Sequence, residues 1–262
     1  MQGINKSSHE LVAQTSLTPQ MGASYPLQLC AHLYFILSGL WLWIRCMFLR
    51  VLGRKPDPFT ERSSLAARFR TYLILLKKWR VLELEYSGFE DASSWTGSII
   101  APNHPSILDA VFLLESLPSM DCVMTARLLR NPVTSGAVGL CDYIRNDAVP
   151  SLIKTCRSRL SSGSNILIFP EGARTKNKPV DTFHPVYVLA AKCCRAPIRT
   201  IMIECDSDYF GKQFSHFKPS RCPIRFKITV GRVFQTDETT DTRGLSADIE
   251  EYFRTNLSGI GS

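Results

Sequence analysis

At 262 residues the chain has room for one sizeable domain with its own core and one or two appended elements. A hydrophobic content of 45% excludes a disordered chain. The 31 basic against 23 acidic residues leave a formal charge of +8, which favours an anionic partner such as a membrane surface, an anionic lipid or CoA. The basic residues are dispersed, with no zinc-finger spacing or aromatic RNA-binding sequence, so nucleic acid is not expected.

Residues 1–24 are polar and without periodicity, the pattern of a flexible tail. The most apolar segment comes next, Pro26 to Ile44, interrupted only by Gln28, His32 and Ser38. It is close to the ~20 residues that a membrane span needs, and its composition suits either a span or a helix lying in one leaflet. The long polar leader and the missing small-residue cleavage site argue against a signal peptide. Arg45, Arg50, Arg54 and Lys55 come after it and place the remainder of the chain on the cytoplasmic face. Lys55-Pro56-Asp57-Pro58 is a break. A second helix is expected from Ser63 to about Arg80, with Leu65, Phe69, Tyr72, Leu73, Leu76 and Trp79 on one face and Arg62, Arg68, Arg70, Lys77, Lys78 and Arg80 around it. Such a helix can lie among lipid headgroups or pack on a core, and the sequence leaves both open.

From Val81 onward short apolar runs alternate with helical stretches. Strands are expected at Val81–Tyr86, Ser98–Ala101, Cys122–Thr125, Asn165–Phe169, Ile198–Glu204 and Ile224–Val230. Helices are expected at Pro105–Leu117, Ser151–Leu160, Pro185–Cys194 and Leu245–Asn256. The alternation predicts an α/β layered domain over 81–262, a mixed sheet flanked by helices, preceded by membrane-associating helices over 25–80. The break at Pro56–Pro58 predicts that the α/β part assembles without residues 1–60. The nine cysteines form no Cys-x-x-Cys pair and read as reduced thiols, with neither a disulfide framework nor a metal site.

Three short words carry the chemistry. Asn103-His104-Pro105-Ser106-Ile107-Leu108-Asp109 supplies a histidine and a carboxylate; of the five histidines only His104 has Asp five residues on. Along one continuous helix those side chains would diverge by roughly 140°. The spacing works if His104 lies just outside a helix that begins at Pro105, so that Asp109 points back to Nδ1 and leaves Nε2 to take a proton from an alcohol. Phe169-Pro170-Glu171-Gly172 ends an apolar run and offers a carboxylate on a tight turn, where a polar substrate could be gripped. Gly139 to Arg145 adds a cation. His104 and Glu171 each follow an expected strand, where α/β sheets gather their ligands.

These words resemble the motifs of the phospholipid/glycerol acyltransferase family, which includes the 1-acylglycerol-3-phosphate acyltransferases. The His104 word resembles its catalytic motif. Gly139–Arg145 is similar to Gly-x-Ile-Phe-Ile-x-Arg, and Phe169–Thr175 to Phe-Pro-Glu-Gly-Thr-Arg-Ser. The resemblance runs from about Val81 to Ile203. It implies His104 and Asp109 as the catalytic pair, and Arg145, Glu171, Gly172 and Arg174 as the acceptor site. It implies acyl-CoA or acyl carrier protein as co-substrate, with no further cofactor, and a lysophospholipid or other hydroxylated lipid as acceptor. The sequence departs from the family at Ala173, where a threonine is usual. It departs again at Phe183-His184-Pro185-Val186, where Phe-Lys-x-Gly is usual, and at Ala196-Pro197-Ile198-Arg199-Thr200, which lacks a second proline. These changes fall on the acceptor side.

The expectation is an O-acyltransferase of glycerolipid synthesis at the cytoplasmic face of a membrane. A lipid-binding scaffold on the same fold is the alternative, and it would have no need of the His104–Asp109 pair. A hydrolase would need a protein nucleophile, yet no Gly-x-Ser-x-Gly elbow is present and Ser106 lacks the required turn.

Overall fold

The computed structural model describes residues 25–117, 120–207, 211 and 222–257; the expected tail, 1–24, lies outside them. Two long helices come first, α1 (Tyr25–Val51) and α2 (Pro58–Lys78). The α/β part is built of β1 (Leu82–Ser87), β2 (Ile99–Pro102), α3 (Asp109–Ser116), β3 (Asp121–Met124), α4 (Ala126–Arg130), α5 (Pro132–Leu140), β4 (Ile144–Arg145), α6 (Val149–Ser161), β5 (Ile166–Leu167), α7 (Val186–Cys194), β6 (Ile198–Cys205), β7 (Ile224–Phe234) and α8 (Thr242–Leu257).

The strands form one sheet in the order β1-β7-β6-β2-β5-β3-β4. It is mixed, because β7 runs antiparallel to β6 while the other pairs are parallel. Side chains alternate across it. Ile100, Leu167, Ile201 and Ile203 join the core on the side of α2 and α3. Ile99, Ala101, Ile166 and Ile198 join the core under α6, α7 and α8. β2, β5, β3 and β4 are parallel neighbours, so their carboxyl ends share one rim, and the loops after them build the site.

α1 runs past the expected end at Ile44 to Val51, because Arg45 does not break it. The Arg45 guanidinium grips the Glu61 carboxylate with two bonds of 2.5 and 2.6 Å. α2 starts earlier than expected: Asp57 caps it, its carboxylate accepting the Thr60 amide at 2.9 Å, and Pro58 occupies the first turn, where a missing N–H costs nothing. The apolar face of α2 is turned to the core, with Leu65, Leu73 and Leu76 buried, which decides between the two readings of that helix. Arg62, one of the cations expected around the apolar face, is 4% exposed and pairs with the buried Asp121.

α1 is laid on the domain along its length. Gln28 Nε2 donates to Cys222 Sγ at 2.9 Å near one end, Tyr34 stacks on Tyr72 of α2 at 5.9 Å, and Gly39 and Gly136 seat α1 against α5. A Cβ on Gly136 would stand 2.3 Å from the Trp43 amide nitrogen, so only glycine allows the two helices to approach this closely. The break at Pro56–Pro58 is therefore a turn within one packed body. The expected independence of the α/β part from residues 1–60 does not agree with this packing.

Candidate active site

Asn103 ends β2 by stapling the following loop to β6. Its Nδ2 donates to the Ile203 carbonyl at 2.9 Å and its Oδ1 accepts the Ile203 amide at 2.7 Å. His104 comes next. The expected helix start at Pro105 is corrected: residues 105–108 are turns and α3 begins at Asp109. The expected bond forms nonetheless, because the turn doubles the chain back. Asp109 Oδ2 lies 2.9 Å from His104 Nδ1 and also accepts the Ser106 amide at 2.8 Å.

Asp109 is fully buried and the His104 side chain is 17% exposed. Burial pushes the Asp109 pKa above its ordinary value, and the His104 bond and charge oppose that. The imidazole stacks on Phe169, ring centroids 3.9 Å apart and 25° from parallel. With Nδ1 bound to a carboxylate and one face shielded by a ring, Nε2 is the nitrogen left for chemistry. That is the tautomer a general base requires. Ser106 is no nucleophile: it is 1% exposed, and its Oγ accepts the Leu108 amide at 3.1 Å.

Residues 83–204 match the family model for Acyltransferase. The matched stretch lies in the α/β part of this chain and is similar to that family. The "1-acyl-sn-glycerol-3-phosphate acyltransferase alpha" of Ovis aries is 24% identical over 166 residues, 60% of this chain and 57% of that protein. The human protein of the same name is also 24% identical over 166 residues, 58% of its length. A "1-acyl-sn-glycerol-3-phosphate acyltransferase" of Helicobacter pylori is 31% identical over 84 residues, 30% of this chain and 35% of that protein. This chain thus spans little more than half the length of the mammalian relatives it matches. In fold it is similar to the crystal structure of the 1-acyl-sn-glycerophosphate acyltransferase PlsC from Thermotoga maritima. The TM-score is 0.65 at 16% identity, over 90% of this chain and 93% of that one.

Within the matched stretch, Glu171 does not face outward to grip a substrate. It is 5% exposed, and Oε1 accepts the His104 amide at 2.8 Å and the Thr175 hydroxyl at 2.9 Å, while Oε2 accepts the Asp181 amide at 2.9 Å. The reason is local: a carboxylate on this turn meets unpaired backbone donors from two loops before it meets solvent. Burial raises its pKa, opposed by those bonds. The Thr175 amide donates to the His104 carbonyl at 2.8 Å, so the two loops hold each other from both sides.

Gly172 has φ +65°, a left-handed turn that a side chain resists, and its amide is spent on the Phe169 carbonyl at 3.0 Å. Its part in the fold is to turn the chain. Arg174 lies close enough to Asp109 for the carboxylate to raise its pKa against the larger, lowering effect of burial, and it donates to the Gly211 carbonyl at 2.7 Å.

The structure thus gathers His104, Asp109, Glu171 and Arg174. Arg145 stands apart on the edge strand β4, 61% exposed and paired with Asp147 at 2.5 Å. Three strand spacings separate β4 from β2, about 14 Å. Sequence reasoning missed Phe169 as the ring under His104, and Asn103, Thr175 and Asp181 as the residues that fix the loops. The first three lie inside the quoted words and could have been singled out there. Asp181 had no signal. Among the described residues no group of three or more His, Cys, Asp or Glu side chains could hold a metal.

Proposed function

We propose that this protein transfers a fatty acyl group from a thioester, acyl-CoA or acyl carrier protein, to a hydroxyl of a glycerolipid-like acceptor. 1-acylglycerol-3-phosphate is the first candidate, since it is the acceptor that the relatives' names give. The observation that carries the reading is the His104 Nδ1–Asp109 Oδ2 bond of 2.9 Å, with Nε2 turned away from it on a part-exposed ring.

In this reading the acceptor hydroxyl gives its proton to His104 Nε2 as its oxygen attacks the thioester carbon. Asp109 stabilises the imidazolium as it forms, the logic of a serine-protease triad with the acceptor's own alcohol in place of the serine. The tetrahedral intermediate then collapses, the C–S bond breaks, and the thiolate recovers the proton from His104. The products are an ester and a free thiol, and no acyl-enzyme forms. Arg174 and Arg145 supply positive charge for an acceptor phosphate, and Glu171 holds the His104 backbone in place.

The acceptor reaches the site from a membrane. α1 exposes Leu29, Leu33, Ile36, Leu37, Ile44 and Phe48 at helical spacing, and residues 26–51 are long and apolar enough to cross a bilayer. A helix of 27 residues is about 40 Å long. Because Gln28 and Arg45, toward its two ends, both hold the domain, it lies along the domain with its apolar stripe in one leaflet. The cytoplasmic leaflet fits a thioester donor made in the cytosol.

Purified protein in mixed micelles, given each donor with a panel of lysolipids and monitored by mass spectrometry, tests this. The expected result is an acylated acceptor with equimolar free thiol. Thiol release without an acylated lipid would make the protein a thioesterase, and no reaction with any donor would favour a lipid-binding scaffold.

A further inference from the structure

Among the described residues, all but two of the exposed large hydrophobic side chains belong to α1, α2 or the turn between them. The two exceptions are Ile107, 46% exposed, and Val149, 47% exposed. Ile107 lies in the loop after β2, and Val149 opens α6 just after β4. Both therefore stand on the carboxyl rim of the parallel strands, the rim that carries His104. The loop does not leave Ile107 free to turn inward. Its neighbours Ser106 and Leu108 are buried, Asp109 Oδ2 accepts the Ser106 amide at 2.8 Å, and Ser106 Oγ accepts the Leu108 amide at 3.1 Å. The turn holds an apolar side chain outward between His104 and Asp109.

α1 follows the same rim. Near its start Gln28 donates to Cys222, two residues before β7, and the start of β7 lies beside the end of β6, which runs parallel to β2. Near its end Trp43, Met47 and Arg50 share a cavity with Arg145, the last residue of β4. Both ends of the helix are moored at the rim, and its exposed apolar stripe borders the site. The rim is also basic. Arg127, Arg130, Lys176 and Lys178 are exposed in the segments that follow β3 and β5. The one exposed acid in the loops after β2, β3, β4 and β5, Asp147, is paired with Arg145.

We propose that Ile107 and Val149 dip into the leaflet that holds α1, so that the mouth of the His104 site is pressed against an anionic bilayer. The two side chains continue the apolar border that α1 sets along the rim. The lysines and arginines around them match a negatively charged headgroup layer, as apolar side chains ringed by cations do at such a boundary. Two apolar side chains on separate loops are too little for the apolar core of a protein–protein interface, whereas a fluid leaflet takes each one singly. The consequence is that a lipid hydroxyl meets His104 at the headgroup layer. The proposal rests on the reading of α1 as a leaflet helix and not on acyl transfer.

The test uses the full-length protein on vesicles of phosphatidylcholine and phosphatidylglycerol with brominated acyl chains, which quench tryptophan that enters the hydrocarbon. Ile107→Trp and Val149→Trp are compared with Ser161→Trp, an exposed position at the end of α6 on the opposite rim, and folding is checked by thermal melting. The fluorescence added at 107 and at 149 should be quenched, and that added at 161 should not. Added fluorescence unquenched at either 107 or 149 would overturn the proposal and leave that residue to a protein partner. Quenching of the native Trp41 and Trp43 alone would do the same while upholding α1 in the leaflet. In turnover, Ile107→Ser with Val149→Ser should slow the reaction with a vesicle-borne acceptor about tenfold relative to the same reaction with a monomeric short-chain acceptor. An equal loss with both acceptors would overturn the proposal, since the side chains would then touch substrate and not bilayer. Quenching at 107 and 149 in a protein that acylates nothing would uphold the surface and remove the acyl-transfer reading.

Discussion

A carboxylate with no exposed surface, bonded to a part-exposed imidazole, makes two demands that a substitution can separate. Asp109→Asn keeps the shape but cannot hold the His104 tautomer, and the expected loss in kcat is about 10⁴-fold, as for the equivalent change in a protease triad. Stability should move the other way. Burial raises the folded-state pKa of Asp109 above 3.8, so the fold favours its neutral form. Below that value wild type and variant are alike. As pH rises from there toward neutrality the wild type comes to bury a charge, and the melting temperature of the asparagine variant should gain on it. A variant that melts lower at neutral pH than at acid pH relative to wild type would contradict the assignment.

Glu171→Gln offers a second separation. The amide can accept from one side only and turns an N–H toward donors on the other, so His104 or Asp181 loses its partner. About 1–3 kcal/mol of stability should go, and kcat should fall more than acceptor KM rises. A pure KM effect would mean that Glu171 grips the acceptor after all. The His104–Asp109 bond was legible because two residue types and one spacing imply it. Glu171's true partners were not, because backbone amides of distant loops leave no mark in a residue pattern.

Among the elements, α1 and α5 meet backbone against backbone at Gly136. Gly136→Ala should cost about 1–3 kcal/mol and lift α1 from the domain, since its Cβ would run into the α1 backbone. Thermal melting and vesicle flotation read this, and an unchanged melting curve would show that the two helices yield easily. Long, periodic or strongly apolar elements such as α1, α2, α6, α7 and α8 were legible, as were the β2, β6 and β7 runs. α4 and α5 were not: five and nine residues long, they carry no clear apolar stripe, and α5 places Gly136 where it faces the α1 backbone. The helix start at Asp109 was misplaced because proline at Pro105 suits a turn as well as a first helical position.

For the whole molecule, α1, α2 and the sheet form one body. Removing residues 1–57 would uncover α5 and leave Glu61, 7% exposed, without Arg45. The truncated protein is expected to aggregate or to melt far below wild type, not to remain as a soluble enzyme. Recovery of a monomer with wild-type melting would show that α1 only rests on the domain. This dependence was invisible in the sequence, where a Pro-Asp-Pro break looks the same whether the helices beyond it pack back or swing free.

The catalytic reading depends on one claim, that His104 removes a proton from the acceptor. The direct measurement is single-turnover acyl transfer from a thioester donor to 1-acylglycerol-3-phosphate by wild type and His104→Ala, each at saturating acceptor and with melting curves compared. The account predicts equal folding and a rate lower by about 10²–10⁴ in the variant, with acceptor binding retained. A His104→Ala protein that acylates the acceptor at the wild-type rate would contradict it.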